Sequence, residues 1–405
     1  MTSSRALIAA LCLFYLPADV RAEQVISAQG AGNPSAVQNT HTSTVQSTDT
    51  LVEQHHRAIR AAAQQTAAAK PETVATGHSE ATEPTLQTDL TRVIRKQKNE
   101  KFLTFNSEND MYGGGTDRNY TNGARMTYFS LGSPVPEFFH AIDRMVPTFS
   151  INETTSISWS LGHNLYTPSD IEIAAPQKDD RPWAAFLYGS AGLVSVTKNH
   201  IDSLEATVGV VGPAALGEQV QKFIHNHVSD SPMPKGWRHQ LKNEPGLMLS
   251  WERSWRERYG IEALGWNAGA TPYIGATLGN IYTYANAGVT FYLSPYDGRM
   301  QDTPVRVRPA MPGTGAFLVP ENRFSWYLFG GVEGRAVGRN IFLDGNTFTD
   351  SHSVDKKYFV ADATAGLALT YGRARVSYAI IYRTEEFHGQ DGGDIFGTVT
   401  LGLRF

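Results

Sequence analysis

The chain has 405 residues and a net charge of −4, with 35 Lys and Arg against 39 Asp and Glu. That balance leaves no basic stripe for nucleic acid, and a single cysteine, Cys12, excludes a disulfide framework or a Cys-type zinc centre. No stretch beyond the first residues is long and apolar enough for a transmembrane helix, whereas a membrane barrel stays open because its strands give only a weak alternating signal.

Arg5 is followed by the apolar run ALIAALCLFYL and then PADVRA, with Val20 and Ala22 small at the cleavage position. This order of parts predicts a signal peptide over 1–22, which removes Cys12. Residues 23–96 are rich in Ala, Gln, Thr, Ser and His (STVQSTDTLVEQHHRAIRAAAQQTAAAK). Such a segment cannot bury enough apolar surface to offset its ordering entropy, so it reads as a disordered, low-complexity periplasmic arm. The remainder, 97–405, is one domain.

Period-two alternation dominates that domain. In DIFGTVTLGLRF, Ile395, Val399, Leu401, Leu403 and Phe405 share one face and Thr398, Thr400 and Arg404 the other. In RARVSYAIIYRTEE, Val376, Tyr378, Ile380 and Tyr382 oppose Arg373, Arg375, Ser377 and Arg383; in RFSWYLFGGVEGR, Phe324, Trp326, Leu328 and Val332 oppose Ser325, Glu333 and Arg335. A soluble sandwich also alternates, but it rarely carries repeated Arg and Glu mid-strand. Strands of about ten residues, aromatics near strand ends and a terminal Phe405 in an alternating run all point to an all-β transmembrane barrel.

Candidate strands lie near 100–109, 119–132, 152–165, 182–197, 201–212, 245–259, 262–278, 284–294, 323–343, 357–371, 373–385 and 393–405, about twelve and antiparallel. With both barrel ends in the periplasm, the connections at 110–118, 166–181, 213–244, 279–283, 344–356 and 386–392 face outward. Two inward connections, 133–151 and 295–322, are longer than such a topology favours.

The stretch FNSENDMYGGGTDRNYTNGARM (105–126) falls on the first outward connection. Asp110, the carbonyls near the glycines and Thr121 offer the mixed oxygens a calcium ion takes, although Tyr112 breaks the EF-hand pattern. Gly-rich and Asn-Gly segments are also ordinary turn chemistry. In the third outward connection, ALGEQVQKFIHNHV (215–228) has Leu216, Val220, Phe223, Ile224 and Val228 at helical spacing, which predicts a short amphipathic helix. Gln221 and His225, four apart, stand one above the other on it. His225 is either a general base or a surface histidine like His227 and His239. No G-x-S-x-G, H-E-x-x-H or P-loop occurs.

The motifs FNSENDMYGGGTDRNYTNG (105–123), YTPSD (166–170), DDRPWAAFLY (179–188), VGVVGPAALGEQVQKFIHNHV (208–228), KGWRHQLKNEP (235–245), TLGNIYTYANAG (277–288) and YRTEEFHGQ (382–390) occur in this order. Together they resemble the outer-membrane lipid A 3′-O-deacylases, over nearly all of 99–405. The resemblance implies a calcium-dependent carboxylic ester hydrolase that removes 3′-O-linked acyl chains of lipid A, with lipopolysaccharide as substrate. It implies a protein of the bacterial outer membrane whose site faces the cell exterior; the chain is expected to act as a monomer. It further implies His225 as general base with Gln221 beside it, Asn109 at the oxyanion, Asp110, Thr121 and Gly123 at calcium, and Arg181 in contact with the sugar phosphates. The family more often has Tyr-Ala-Gly after the Arg-Pro, where this chain has Trp183-Ala184-Ala185. The alternatives are a phospholipase A-like membrane hydrolase, for which SHS (351–353) is the nearest His/Ser pair, and a non-enzymatic porin or adhesin barrel.

Overall fold

The computed structural model describes residues 100–405 apart from 114–118, 138, 141–145, 147, 228–230, 256–258, 264, 296–302, 305, 308, 310–312 and 318–323. The signal peptide and the 23–96 arm lie outside the described residues. Thirteen strands follow in order: β1 (Lys101–Asn109), β2 (Asn119–Ser130), β3 (Ser156–Thr167), β4 (Ala184–Val196), β5 (Ile201–Val211), β6 (Glu244–Ser254), β7 (Tyr259–Ala263), β8 (Trp266–Gly279), β9 (Tyr282–Ser294), β10 (Phe324–Asn340), β11 (Phe359–Tyr371), β12 (Ala374–Arg383) and β13 (Asp394–Arg404). Between them stand α1 (Gly217–His227) and α2 (Ile341–Asp344).

All pairings are antiparallel, between sequence neighbours except for β6 with β8 and for β1, which closes on β13. β6 and β7 both pair with β8, at its two ends, so they are one wall strand interrupted after Ser254. The wall is therefore a closed twelve-stranded barrel, as the alternation predicts. Several boundaries differ: the strand expected from 152 begins at Ser156 and runs to Thr167, the wall strand expected to end at 259 runs on to Ala263, and β8 begins only at Trp266. The expected 323–343 strand likewise stops at Asn340, whose side chain accepts from the Phe342 N–H and starts α2.

Closure is reinforced where the chain ends meet. Arg404 donates twice to Glu100, at 2.8 and 2.9 Å, beside main-chain bonds between Lys101 and Phe405. This terminal rim carries the short 197–200 and 372–373 turns, and the six connections expected to face outward share the far rim, the β8–β9 link being only residues 280–281.

The alternation sorts residues as expected. Lumen positions bury Glu333, Arg335, Asp362 and Arg383, with Arg335 bridging Glu333 at 2.6 Å and Asp362 at 2.7 Å. Paired and hydrogen-bonded, these charges meet the condition for burial. Toward the far rim the lumen is filled by aromatic rings, among them Tyr120, Tyr166, Phe186, Tyr188, Tyr282 and Phe342, the last brought inward by α2 and stacked on Tyr166 at 4.0 Å.

The two long inward connections also find their reason. Residues of the first, Phe139 and Phe149, pack on the outer surface of the wall against Ile157, Leu193 and Leu204. Residues of the second enter the lumen, where Val307 joins the aromatic cluster and Phe317 packs on Phe102. Each is long because it covers or fills the barrel rather than turning.

Candidate active site

Strand parity assigns each candidate to a face. Phe102, Thr104, Asn106 and Glu108 of β1 are buried in the lumen, so Asn109 lies on the wall's outer surface, paired with Asn122 of β2. There the strand ends: the Asn109 side chain accepts from the Met111 N–H at 2.7 Å and caps a single helical turn, Asp110–Tyr112. Asp110 is buried and accepts from the same N–H at 2.9 Å. Both side chains are thus held by local backbone chemistry.

On β2 the register against β3 shifts between Asn119 and Asn122, an irregularity of the kind that re-aims side chains. Thr121 sits in it, and its hydroxyl bonds that of Thr167 at 2.6 Å. Asn122 is buried and its Oδ1 has no hydrogen-bond partner. Gly123 turns to the lumen, where a Cβ would lie 1.8 Å from the Tyr120 hydroxyl oxygen. Only its main chain is available to a ligand.

Helix α1 lies over this wall. Leu216, at φ 63°, redirects the chain into it. Its Val220 and Ile224 pack on Ala124, Leu165 and Ala185, outer-surface positions of β2, β3 and β4, and on Trp183 and Trp237. A Cβ at Gly217 would meet the Ala185 Cβ at 2.5 Å and the Trp237 ring at 2.6 Å, so glycine permits the close approach. The departure from Tyr-Ala-Gly thus falls at this contact, with Trp183 and Ala185 under the helix.

Gln221 is 1 % exposed, and its Oε1 accepts from the Trp237 indole N–H at 2.7 Å. Because an indole nitrogen only donates, the amide orientation is set and Nε2 is the end left without a protein partner. One turn on, the His225 Nδ1 lies 2.7 Å from the Pro232 carbonyl. A carbonyl only accepts, so Nδ1 carries the proton and the basic nitrogen of the neutral ring is Nε2. Beside Pro232, the Ser231 hydroxyl contacts the Met111 sulfur at 3.7 Å. Residues 231–232 therefore bridge His225 on α1 to Met111, the residue after Asp110.

Two residues fall outside the expected pattern. Arg181 does not face the helix: it is fully buried, 3.4 Å from Glu386 and 5.1 Å from the centre of the lumen ring of Tyr166, with Nε and Nη2 unpartnered. His163, which the motifs did not single out, is buried on the outer surface of β3 and donates Nε2–H to the carbonyl of Ala215, just ahead of α1, at 2.8 Å. A polar residue at an outer position of an alternating strand was the available signal.

Among the described residues, no three His, Cys, Asp or Glu side chains cluster as a metal site. Calcium does not require such a cluster, because it takes carboxylate, hydroxyl, amide and main-chain oxygens together. Asp110, Thr121, the Gly123 main chain and the orphaned Asn122 Oδ1 form an all-oxygen set of this kind, so the residues fit a hard cation. The SHS segment forms no dyad: Ser351 accepts from the Asn346 N–H at 2.8 Å and His352 turns to the Lys178 carbonyl at 3.2 Å.

No curated protein sequence matches the chain. Among solved structures, LpxR from Salmonella typhimurium superposes with a TM-score of 0.60 at 22% identity, over 75% of this chain and 99% of that one. That likeness shows the fold. The β domain of the Bordetella autotransporter Brka gives a TM-score of 0.36 at 8% identity, over 76% and 98%, and the translocator domain of NalP from Neisseria meningitidis gives 0.30 at 11%, over 80% and 100%. The family model described as outer membrane protein LpxR matches residues 65–405, starting before β1. With most of its length matched, the chain belongs to the LpxR family of outer membrane proteins.

Proposed function

We propose that this chain is a calcium-dependent carboxylic ester hydrolase that removes the 3′-O-linked acyl chains of lipid A in the outer leaflet, with the far rim toward the cell exterior. The observation that carries the reading is the tautomer of His225: the Pro232 carbonyl holds Nδ1–H, and the same two-residue bridge touches the Asn109–Asp110 turn. Both contacts support the reading: one leaves Nε2 as the basic nitrogen of the neutral ring, and the other ties the segment after α1 to the turn that carries Asp110.

In the mechanism, Nε2 of His225 takes a proton from water as the water oxygen attacks the ester carbonyl carbon. The ester C–O bond then breaks, and the proton passes to the departing 3′-oxygen, leaving a fatty acid and a sugar hydroxyl. Gln221, its Oε1 held by Trp237, donates from Nε2 to the water oxygen and leaves a water O–H for His225. Asn109, its Oδ1 held by Met111, presents Nδ2 to the oxyanion. Calcium, when bound by Asp110, Thr121 and Gly123, supplies charge that offsets the negative charge developing on that oxygen. Every group comes from one chain, so the reading needs no partner subunit.

Lipid A mass spectra from cells expressing the chain or His225→Ala test this. Loss of a 3′ acyl group is expected in the wild type, and a decrease of about 100-fold or more in the variant. Unchanged lipid A with altered phospholipid would point instead to a phospholipase, and no lipid change at all would remove the enzyme reading.

A further inference from the structure

The connection from β9 to β10 leaves and rejoins the wall at the terminal rim, yet its residues climb the lumen. Phe317 packs edge-on against Phe102 with ring centres 5.4 Å apart, and Arg375 donates to the Gly315 and Ala316 carbonyls at 3.2 and 3.3 Å. Farther along, Arg383 donates to the Pro309 carbonyl at 3.4 Å. At the tip, Arg306 reaches Glu108. Phe102 and Glu108 are separated by about 20 Å of strand.

The tip is a built contact. Arg306 donates from Nε to Glu108 Oε1 at 2.9 Å and from Nη2 to Oε2 at 3.3 Å, and the Val307 N–H donates to Oε1 at 3.2 Å. Both charged side chains are buried, and the guanidinium lies 5.6 Å from the centre of the Phe396 ring. A Val307 methyl lies 3.2 Å from where a Cβ of Gly123 would be. Glu108 and Gly123 are cross-strand partners, and the next pair toward the far rim is Asn109 with Asn122. The strap therefore presses on the lumen side of the wall immediately behind the candidate site. Burying a full ion pair adds little stability over an apolar contact of the same size, and its best-attested use is to specify register.

We propose that Arg306 is a positioning residue: it braces the Glu108–Gly123 pair from the lumen and so holds the Asn109–Asp110 turn and the Thr121 irregularity in place on the opposite surface. The catalytic half of this inference rests on the function proposed above; the mechanical half does not. Full-length Arg306→Ala, Arg306→Lys and the charge-swapped Glu108→Arg/Arg306→Glu are compared with wild type in detergent, each first checked for the heat-modifiable mobility of a folded barrel. Amide hydrogen exchange of peptides covering 108–112 and 120–124 should quicken at least 10-fold in Arg306→Ala, with β9 to β12 unchanged, and should return within 3-fold of wild type in the swap. On lipid A, kcat should fall at least 10-fold with KM within 2-fold, and the calcium concentration for half activity should rise. If Arg306→Ala gives no heat-modifiable form, Arg306→Lys, which keeps the charge and loses the fork, is read in the same way. Unchanged or uniformly quickened exchange would overturn the brace, and local quickening with kcat intact would overturn its positioning role. A wild type inactive on lipid A, with exchange still responding locally, would sink the functional reading and leave the brace standing.

Discussion

The walls on either side of the barrel obey the same alternation and use it differently. On β10 to β13 the outer surface carries exposed apolar side chains: Val332 is 52 % exposed, and Leu328, Tyr378, Ile380 and Leu401 are similarly open. On β2 to β4, outer-surface residues near the far rim are sealed, with Ala124, Leu165 and Ala185 fully buried under α1. The first wall meets lipid directly, while the second meets a helix from its own chain. Polar groups such as Asn122 and His163 sit on the second wall because protein covers them there, whereas in hydrocarbon an unpaired polar group is costly. The candidate site lies where the barrel hides its outside.

The largest way to sharpen this contrast is at the cation site. Asp110→Ala, like a chelator applied to the wild type, should lower deacylation by about 100-fold or more while heat-modifiable mobility persists. Full activity in that variant would remove Asp110 as a ligand. Next is the helix contact. Gly217→Val drives a side chain into Ala185 and Trp237, and activity should fall by about 10-fold or more as α1 lifts. Gly334→Val on the opposite wall, where a Cβ meets nothing within 4 Å, should leave activity within about 2-fold. Equal effects at the two glycines would erase the distinction between the walls.

A smaller effect is expected from Trp237→Phe, which keeps a ring but removes the donor to Gln221. With the amide free to flip, kcat should drop by about 3- to 10-fold, consistent with the loss of roughly one hydrogen bond. The smallest concerns neither wall but the seam between them. Hydrogen bonds from Arg404 hold the Glu100 carboxyl below its ordinary range. The stabilisation this gives is full above the unfolded carboxylate pKa and is lost as pH falls through the lowered folded value. Glu100→Gln should therefore cost about 0.5–1 kcal/mol at neutral pH and nothing in acid, read as a shift in the heat-modification midpoint.

Much of this was legible beforehand because strand alternation is a local property. Arg335, Arg375 and Arg383 announce a lumen by their spacing alone, and the 215–228 periodicity places α1 within two residues of Gly217–His227. The Asn109–Asp110 turn was visible as chemistry but ambiguous as function, since capping and cation binding use the same residues. Arg181 shows the converse. Its motif suggested a surface role, but only the fold reveals Glu386, some two hundred residues away, as its partner. His163 passed unnoticed because nothing near it in the chain says that Ala215 will cover it. The overlong 295–322 connection looked like a flaw in the topology until the lumen it fills was present.

By itself, the order of residues determined the barrel, its parity and the helix carrying Gln221 and His225, since period two and period 3.6 are written in neighbours. The tertiary structure alone decided which outer-surface residues are roofed, which nitrogen of His225 holds the proton, and what stands behind Glu108. Those depend on contacts between segments far apart in the chain, and no local pattern encodes a partner that arrives from the other side of the barrel.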